Sequence, residues 1–230
     1  MTKLRVGILV FPKVQQLDLT GPFEVFASVP EAEVRLVWKR VERIDTATGL
    51  VLMPDLAFAE CPQFDVLCVP GGVGVNPLME DEEVLKFLRR QAEGARYITS
   101  VCTGSMVLAA AGLLAGRRAT THWASHDFLA RLGAIPVQAR VVTDGKFATG
   151  GGVTAGIDMA LAVVSELFGR EAAEAVQLNL EYAPEPPFTS GRPETAPVEV
   201  VATVRERGRA SRAAREAIVS RLEGRRPMTA

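Results

Sequence analysis

The sequence predicts an α/β fold: a doubly wound, mostly parallel sheet flanked by helices, with a cysteine at a strand-to-helix elbow. Three observations carry that prediction. Several strand candidates are continuous apolar runs, the pattern of strands covered on both faces. Strand and helix signatures alternate along the chain. Asp18, the pair Gly71-Gly72, and Cys102 each follow the C-terminal end of such a strand, where open α/β sheets place their ligands.

Arg5 to Phe11, with Val6-Gly7-Ile8-Leu9-Val10 at its centre, reads as the first strand. Gln16-Leu17-Asp18-Leu19-Thr20-Gly21-Pro22 leads into a short helix over Thr20 to Ala27, with Pro22 in its first turn. Val34 to Trp38 is the second strand. Arg43 to Asp45 and Leu50 to Met53 form a small exposed ribbon turned at Thr48-Gly49. Asp65 to Pro70 is a buried strand running into Gly71-Gly72. Glu82 to Gln91 is a helix ended by Gly94. Tyr97 to Val101 is β-branched and aromatic, Cys102 is its elbow, and Ser105 to Leu114 is the helix that follows. Arg118 to His122 is extended and Ala124 to Arg131 helical. Arg140 to Thr143 and Lys146 to Thr149 form a hairpin turned by Asp144-Gly145. Gly150-Gly151-Gly152 precedes an apolar helix, Thr154 to Phe168. Residues 1–182 contain no linker or repeat and read as one domain. Residues 183–230 read as an extended arm and a basic helical tail, Val201 to Arg226, without the standing of an independent domain.

Composition narrows the function classes. The chain has 230 residues, 48% of them hydrophobic, enough for one large core. Lys and Arg number 26 against 27 Asp and Glu, so no global field draws it to nucleic acid or anionic lipid, and a small neutral partner is expected. The arginines of the tail read as a solvated or dimer-packing face. Cys61, Cys68 and Cys102 are odd in number and make no Cys-x-x-Cys pair, which argues for a reducing cytoplasm and against a cysteine zinc site. The first apolar stretch is too short for a signal peptide or a membrane span. His122 and His126 lack the acidic companions of a metal motif, so no metal is expected, and His122 reads as a pocket wall or structural donor.

Cys102 is the candidate nucleophile, because free N–H groups and the dipole at a helix start favour a thiolate and lower its pKa. Asp18 is the candidate acid/base partner: a thiolate and a carboxylate placed together share one proton. Asp18 is otherwise a helix N-cap, and Glu24 is the competing carboxylate. Gly71 and Gly72 offer backbone N–H donors for an anionic intermediate, or plain turn chemistry. Thr103 offers a hydroxyl to Asp18 or substrate, or caps the helix. A peptidase would need an imidazole beside the sulfur, and Thr103 stands there instead.

Pro70-Gly71-Gly72, Ser100-Val101-Cys102-Thr103-Gly104 and Arg118-Ala119-Thr120-Thr121-His122-Trp123 together resemble the DJ-1/PfpI superfamily, over residues 4 to about 180. Gln15 to Pro22, with aspartate where that superfamily more often has glutamate, and Glu181-Tyr182-Ala183-Pro184 look like the bacterial isocyanide hydratases. The resemblance implies a flavodoxin-like sheet and a homodimer. It implies a cofactor-independent hydro-lyase that hydrates a small apolar isocyanide to an N-substituted formamide through a Cys102 thioimidate. Asp18 would then be the general acid/base, Thr103 would orient Asp18, Gly72 would donate near the reacting centre, and Val153 and Ile157 would line or gate the pocket. Two rival readings remain: a ligand-sensing domain like those of AraC-type regulators, and a cysteine-based oxidative stress sensor. The regulator reading lacks two helix-turn-helix units in the stretch after Tyr182.

Overall fold

The computed structural model describes residues 3–225. The chain runs β1 (Leu4–Leu9), α1 (Gln16–Ala27), β2 (Ala32–Trp38), β3 (Ile44–Asp45), β4 (Val51–Leu52), β5 (Leu56–Ala57), β6 (Val66–Val69), α2 (Val75–Leu78) and α3 (Glu82–Gly94). It continues through β7 (Tyr97–Val101), α4 (Gly104–Ala110), β8 (Arg118–Ala119), a 3-10 turn (Trp123–Ser125), α5 (Phe128–Arg131), β9 (Ile135–Pro136), β10 (Val141–Asp144) and β11 (Phe147–Gly150). Three helices close it: α6 (Ala155–Phe168), α7 (Arg170–Asn179) and α8 (Val198–Arg225).

The main sheet has seven strands in the order β10-β11-β7-β6-β1-β2-β5. Every pairing in it is parallel except the β10–β11 hairpin, which the tight Asp144-Gly145 turn closes. The apolar runs read as two-sided strands are buried on both sides: Val6, Ile8, Leu9, Val66, Leu67, Val69 and Ile98 have essentially no exposure. Helices α1, α6 and α7 pack together, and α2, α3, α4, α5 and α8 form the second group. Strand order reverses at β1, whose neighbours are β2 on one side and β6 on the other. The loops leaving β1 and β6 therefore diverge there and open a crevice at the C-terminal edge of the sheet.

Several elements differ from the sequence reading. α1 begins at Gln16, so Pro22 lies inside the helix, where its missing N–H leaves the Asp18 carbonyl without that helical partner. The segment Ala124 to Arg131 divides into the 3-10 turn and the short α5. The two-residue strands β5 and β9 and the helices α2 and α7 carry too little periodic signal to be seen, α7 because its apolar positions are mostly alanine, whereas β8 falls within the extended segment read at Arg118 to His122. The tail is helical from Val198, earlier than Val201, and Arg226 lies outside the described residues. It is also more than a solvated face. α8 returns to the body against α2, α5 and the 3-10 turn, with Val219 fully buried and Ile218 nearly so. Among the described residues no helix is long and apolar enough to cross a membrane.

Candidate active site

Cys102 sits between the last residue of β7 and the first turn of α4 with φ 55°, in the left-handed region that non-glycine residues seldom occupy. Such a conformation costs about 1–3 kcal/mol and persists where the surroundings over-determine it. They do so here. The Cys102 N–H donates to the Gly150 carbonyl at 3.0 Å. Its carbonyl accepts from Thr121 Oγ1 at 2.9 Å and from Ser105 Oγ at 3.2 Å. Gly104 allows the turn to pass the end of β6, because a Cβ there would run into the Val69 carbonyl. The sulfur is thus aimed into the crevice by backbone constraints from three directions.

Asp18, in the first turn of α1, is fully buried and lies within hydrogen-bonding reach of Cys102. It is no N-cap: Gln15 holds that position, and Asp18 Oδ2 instead accepts the Gly71 N–H at 2.9 Å. Its other oxygen, Oδ1, is buried without a hydrogen-bond partner. Burial pushes the Asp18 carboxyl up to about 7, against the lowering effects of the Gly71 N–H and Cys102. An orphaned carboxyl oxygen beside a thiol, on a group that titrates near neutrality, is suited to carry a proton. Glu24, further along the same helix, is exposed, which removes it from the site.

The structure corrects four expectations about these groups. The Cys102 thiol is pushed up, not down, first by burial and then by the negative charge of Asp18; the Thr103 N–H and hydroxyl offset only part of this. The free N–H groups of the helix start act locally, and the desolvation of a sulfur only 6% exposed outweighs them. Gly71 and Gly72 do not present free N–H groups: Gly71 donates to Asp18, and Gly72 donates to Thr103 Oγ1 at 3.1 Å. Thr103 does not orient Asp18. Its hydroxyl bridges the Gly72 backbone, donating to the carbonyl at 3.4 Å, and although Thr103 occupies the N-cap position of α4 its side chain caps nothing. Ile157 packs against Gly21 of α1 and not on the cavity.

The crevice opens as a cavity of ≈ 920 Å³, large enough for a drug-sized molecule. Gly72, Val73, Cys102, Thr103, His122 and Val153 form its body-side wall. His122 accepts the Ala124 N–H at Nδ1 at 3.3 Å, and burial followed by the charge of Arg215 lowers its pKa. The opposite wall is α8, including Ser211, Arg212 and Arg215. Sequence reasoning missed this wall. One signal was available: Arg205, Arg209, Arg212 and Arg215 recur at three- and four-residue spacing, which gathers them on one side of a helix.

Residues 4–166 match the DJ-1/PfpI family. The chain belongs to the DJ-1/PfpI family. Within that family, the isonitrile hydratase of Pseudomonas putida is 60% identical over 218 residues, covering 95% of this chain and 96% of that one. The crystal structure of a ThiJ/PfpI family protein from Pseudomonas syringae superposes with a TM-score of 0.92 at 41% identity, covering 95% of this chain and 91% of the other. The HTH-type transcriptional regulator GbdR of Pseudomonas aeruginosa is 36% identical over 132 residues, which are 56% of this chain but 35% of the regulator. The DJ-1/PfpI fold agrees with the mostly parallel sheet and its flanking helices.

Proposed function

We propose that this protein is an isocyanide hydratase that converts R–N≡C and water to the N-substituted formamide R–NH–CHO, with Cys102 as nucleophile and Asp18 as general acid/base. The near end-to-end similarity to an isonitrile hydratase carries the activity. The buried thiol and carboxyl side by side support the mechanism.

The terminal carbon of an isocyanide accepts a nucleophile and a proton at one atom. With the thiol raised by burial and Asp18 poised near 7, the pair holds one proton that moves between sulfur and carboxyl. As sulfur attacks, Asp18 takes the thiol proton and delivers it to the same carbon, giving the thioimidate R–N=CH–S–Cys102. Asp18, now a carboxylate, removes a proton from the attacking water. The resulting adduct expels sulfur as nitrogen is protonated, releasing formamide and restoring the starting pair. Thr103 holds the Gly72 loop over the sulfur, and Gly71 fixes Asp18. The apolar side chains Val73 and Val153 suit an uncharged substrate.

The reading includes a cytoplasmic homodimer: all three cysteines are free, and exposed Leu178, Phe188 and Val198 offer apolar surface to a second copy. Against the sensing domain stands the partial overlap with the regulator. Against the oxidation sensor stands a buried sulfur whose pKa is raised, since oxidation favours exposed thiolates.

The test is formamide production from an aliphatic isocyanide, followed by infrared loss of the isocyanide stretch, with Cys102→Ala as control. Turnover by the wild type and none by the variant is expected. An inactive wild type, or a variant with undiminished rate, rejects the reading.

A further inference from the structure

Arg215 is a guanidinium with little exposure to water, on the α8 wall of the Cys102 cavity. Its hydrogen-bond partners are neutral: Nε donates to Asn76 Oδ1 at 3.0 Å, Nη1 to Ser125 Oγ at 2.7 Å, and Nη2 to Ser211 Oγ at 3.5 Å. Asn76 in turn donates Nδ2 to the Ser211 carbonyl at 3.1 Å, so the cradle is built from α2, the 3-10 turn and α8 itself. The other charged side chains of this wall have opposite-charge or aromatic partners. Arg212 pairs with Asp127 at 2.6 Å, Arg209 with Glu206 at 3.0 Å, Glu216 with Arg131, and Arg205 lies over the Trp123 ring at 5.8 Å. Arg215 has no carboxylate among the described residues.

Removing a cation from water without an anion is unfavourable, and neutral acceptors offset only part of the cost. The anion this cavity provides is the sulfur of Cys102, which lines the same cavity as Arg215. The remaining groups facing that sulfur do not supply positive charge. Asp18 from α1 opposes the anion, His122 is held towards its neutral form, and Thr103 contributes dipoles only. For a sulfur raised by burial and by Asp18, an opposing charge in the same cavity favours the form that attacks.

We infer that Arg215 is a positioning residue of the reaction: its buried guanidinium, carried into the Cys102 cavity by α8, is the counter-charge that favours the anionic, attacking form of the sulfur. The inference rests on the nucleophile assigned above, and it gives the basic tail a chemical role.

The experiment measures the pH dependence of iodoacetamide alkylation at the Cys102 peptide by mass spectrometry, in full-length protein, alongside thermal melts. Arg215→Met and Arg215→Gln are expected to raise the alkylation midpoint by about one unit or more, roughly tenfold slower labelling at a fixed neutral pH. Arg215→Lys keeps the charge but loses the fork, so its midpoint returns towards wild type while its melting temperature stays low. Ser125→Ala loosens the same cradle and leaves the midpoint in place. Midpoints unchanged in Arg215→Met and Arg215→Gln overturn the proposal, as does a Lys or Ser125→Ala midpoint that moves as far as the Met one. So does an Arg215→Met enzyme that loses kcat/KM on isocyanoacetate but not on an uncharged alkyl isocyanide, since the arginine would then serve a substrate carboxylate. Because labelling is independent of turnover, a failure of the hydratase reading leaves this test standing, and an active hydratase with an unshifted midpoint fails it alone.

Discussion

The Gly71 N–H donates to Asp18 Oδ2 at 2.9 Å, joining the loop after β6 to the first turn of α1 across 53 residues of sequence. The contact demands glycine at that point. A Cβ on residue 71 would lie 2.6 Å from the Thr103 nitrogen and 2.8 Å from Asp18 Oδ2, both part of the packed site. Gly71→Ala should therefore displace Asp18 and lower kcat by about a hundredfold, the scale of a misplacement of about 1 Å. A variant with wild-type kcat would show that Asp18 tolerates the shift.

Asp18→Asn should separate activity from stability. The folded carboxyl titrates at about 7 and an unfolded one near 3.8, so between these values the native state binds the extra proton. Stability from this group is then greatest at low pH and falls as pH rises towards 7. Asparagine removes that loss. Calorimetry should find the variant more stable at pH 7.5, by roughly 1–4 kcal/mol, and the gain should disappear near pH 4, while turnover falls by at least about a hundredfold. A variant less stable than wild type at pH 7.5 would contradict the burial argument.

The same carboxyl sets an acid limb for catalysis. Below about 7 the Asp18–Cys102 pair takes up a second proton, and neither group is left to accept one as sulfur attacks. A plot of kcat/KM against pH should decline towards acid with an apparent midpoint near 7. A limb near pH 4 would mean that Asp18 is not the group that titrates.

Thr103→Val removes the hydroxyl that accepts the Gly72 N–H and leaves that donor unmatched. The expected cost is about 1–3 kcal/mol in stability, with kcat reduced and Cys102 labelling slowed, since the hydroxyl also favours the thiolate. Unchanged melting and labelling together would show the bridge to be dispensable.

Val153 faces the cavity from the segment before α6. Val153→Phe should raise KM for branched or aromatic isocyanides and leave methyl isocyanide nearly unaffected, as steady-state kinetics on a size series would reveal. Equal effects across the series would place the substrate away from this wall.

Much of the fold was legible in the chain because its signals are local. Two-sided apolar runs such as Val66 to Val69 can be read by composition, and an Asp-Gly pair between extended segments turns back on itself through backbone sterics alone. Short elements such as β5, β9 and α2 escaped because a few residues hold no measurable period. Cys102 at the elbow, and Asp18 and Gly71 after their strands, were likewise visible from position. Tertiary structure decided what those residues experience. Burial reversed the expected direction for the Cys102 pKa, spent the Gly71 and Gly72 donors on Asp18 and Thr103, and turned Ile157 towards α1. It also folded the tail back so that Arg215 and Cys102, distant in sequence, line one cavity. Sequence by itself determined which groups were available and where the backbone would turn; desolvation and the meeting of distant charges depend on the whole packed volume, and only the tertiary structure supplies that.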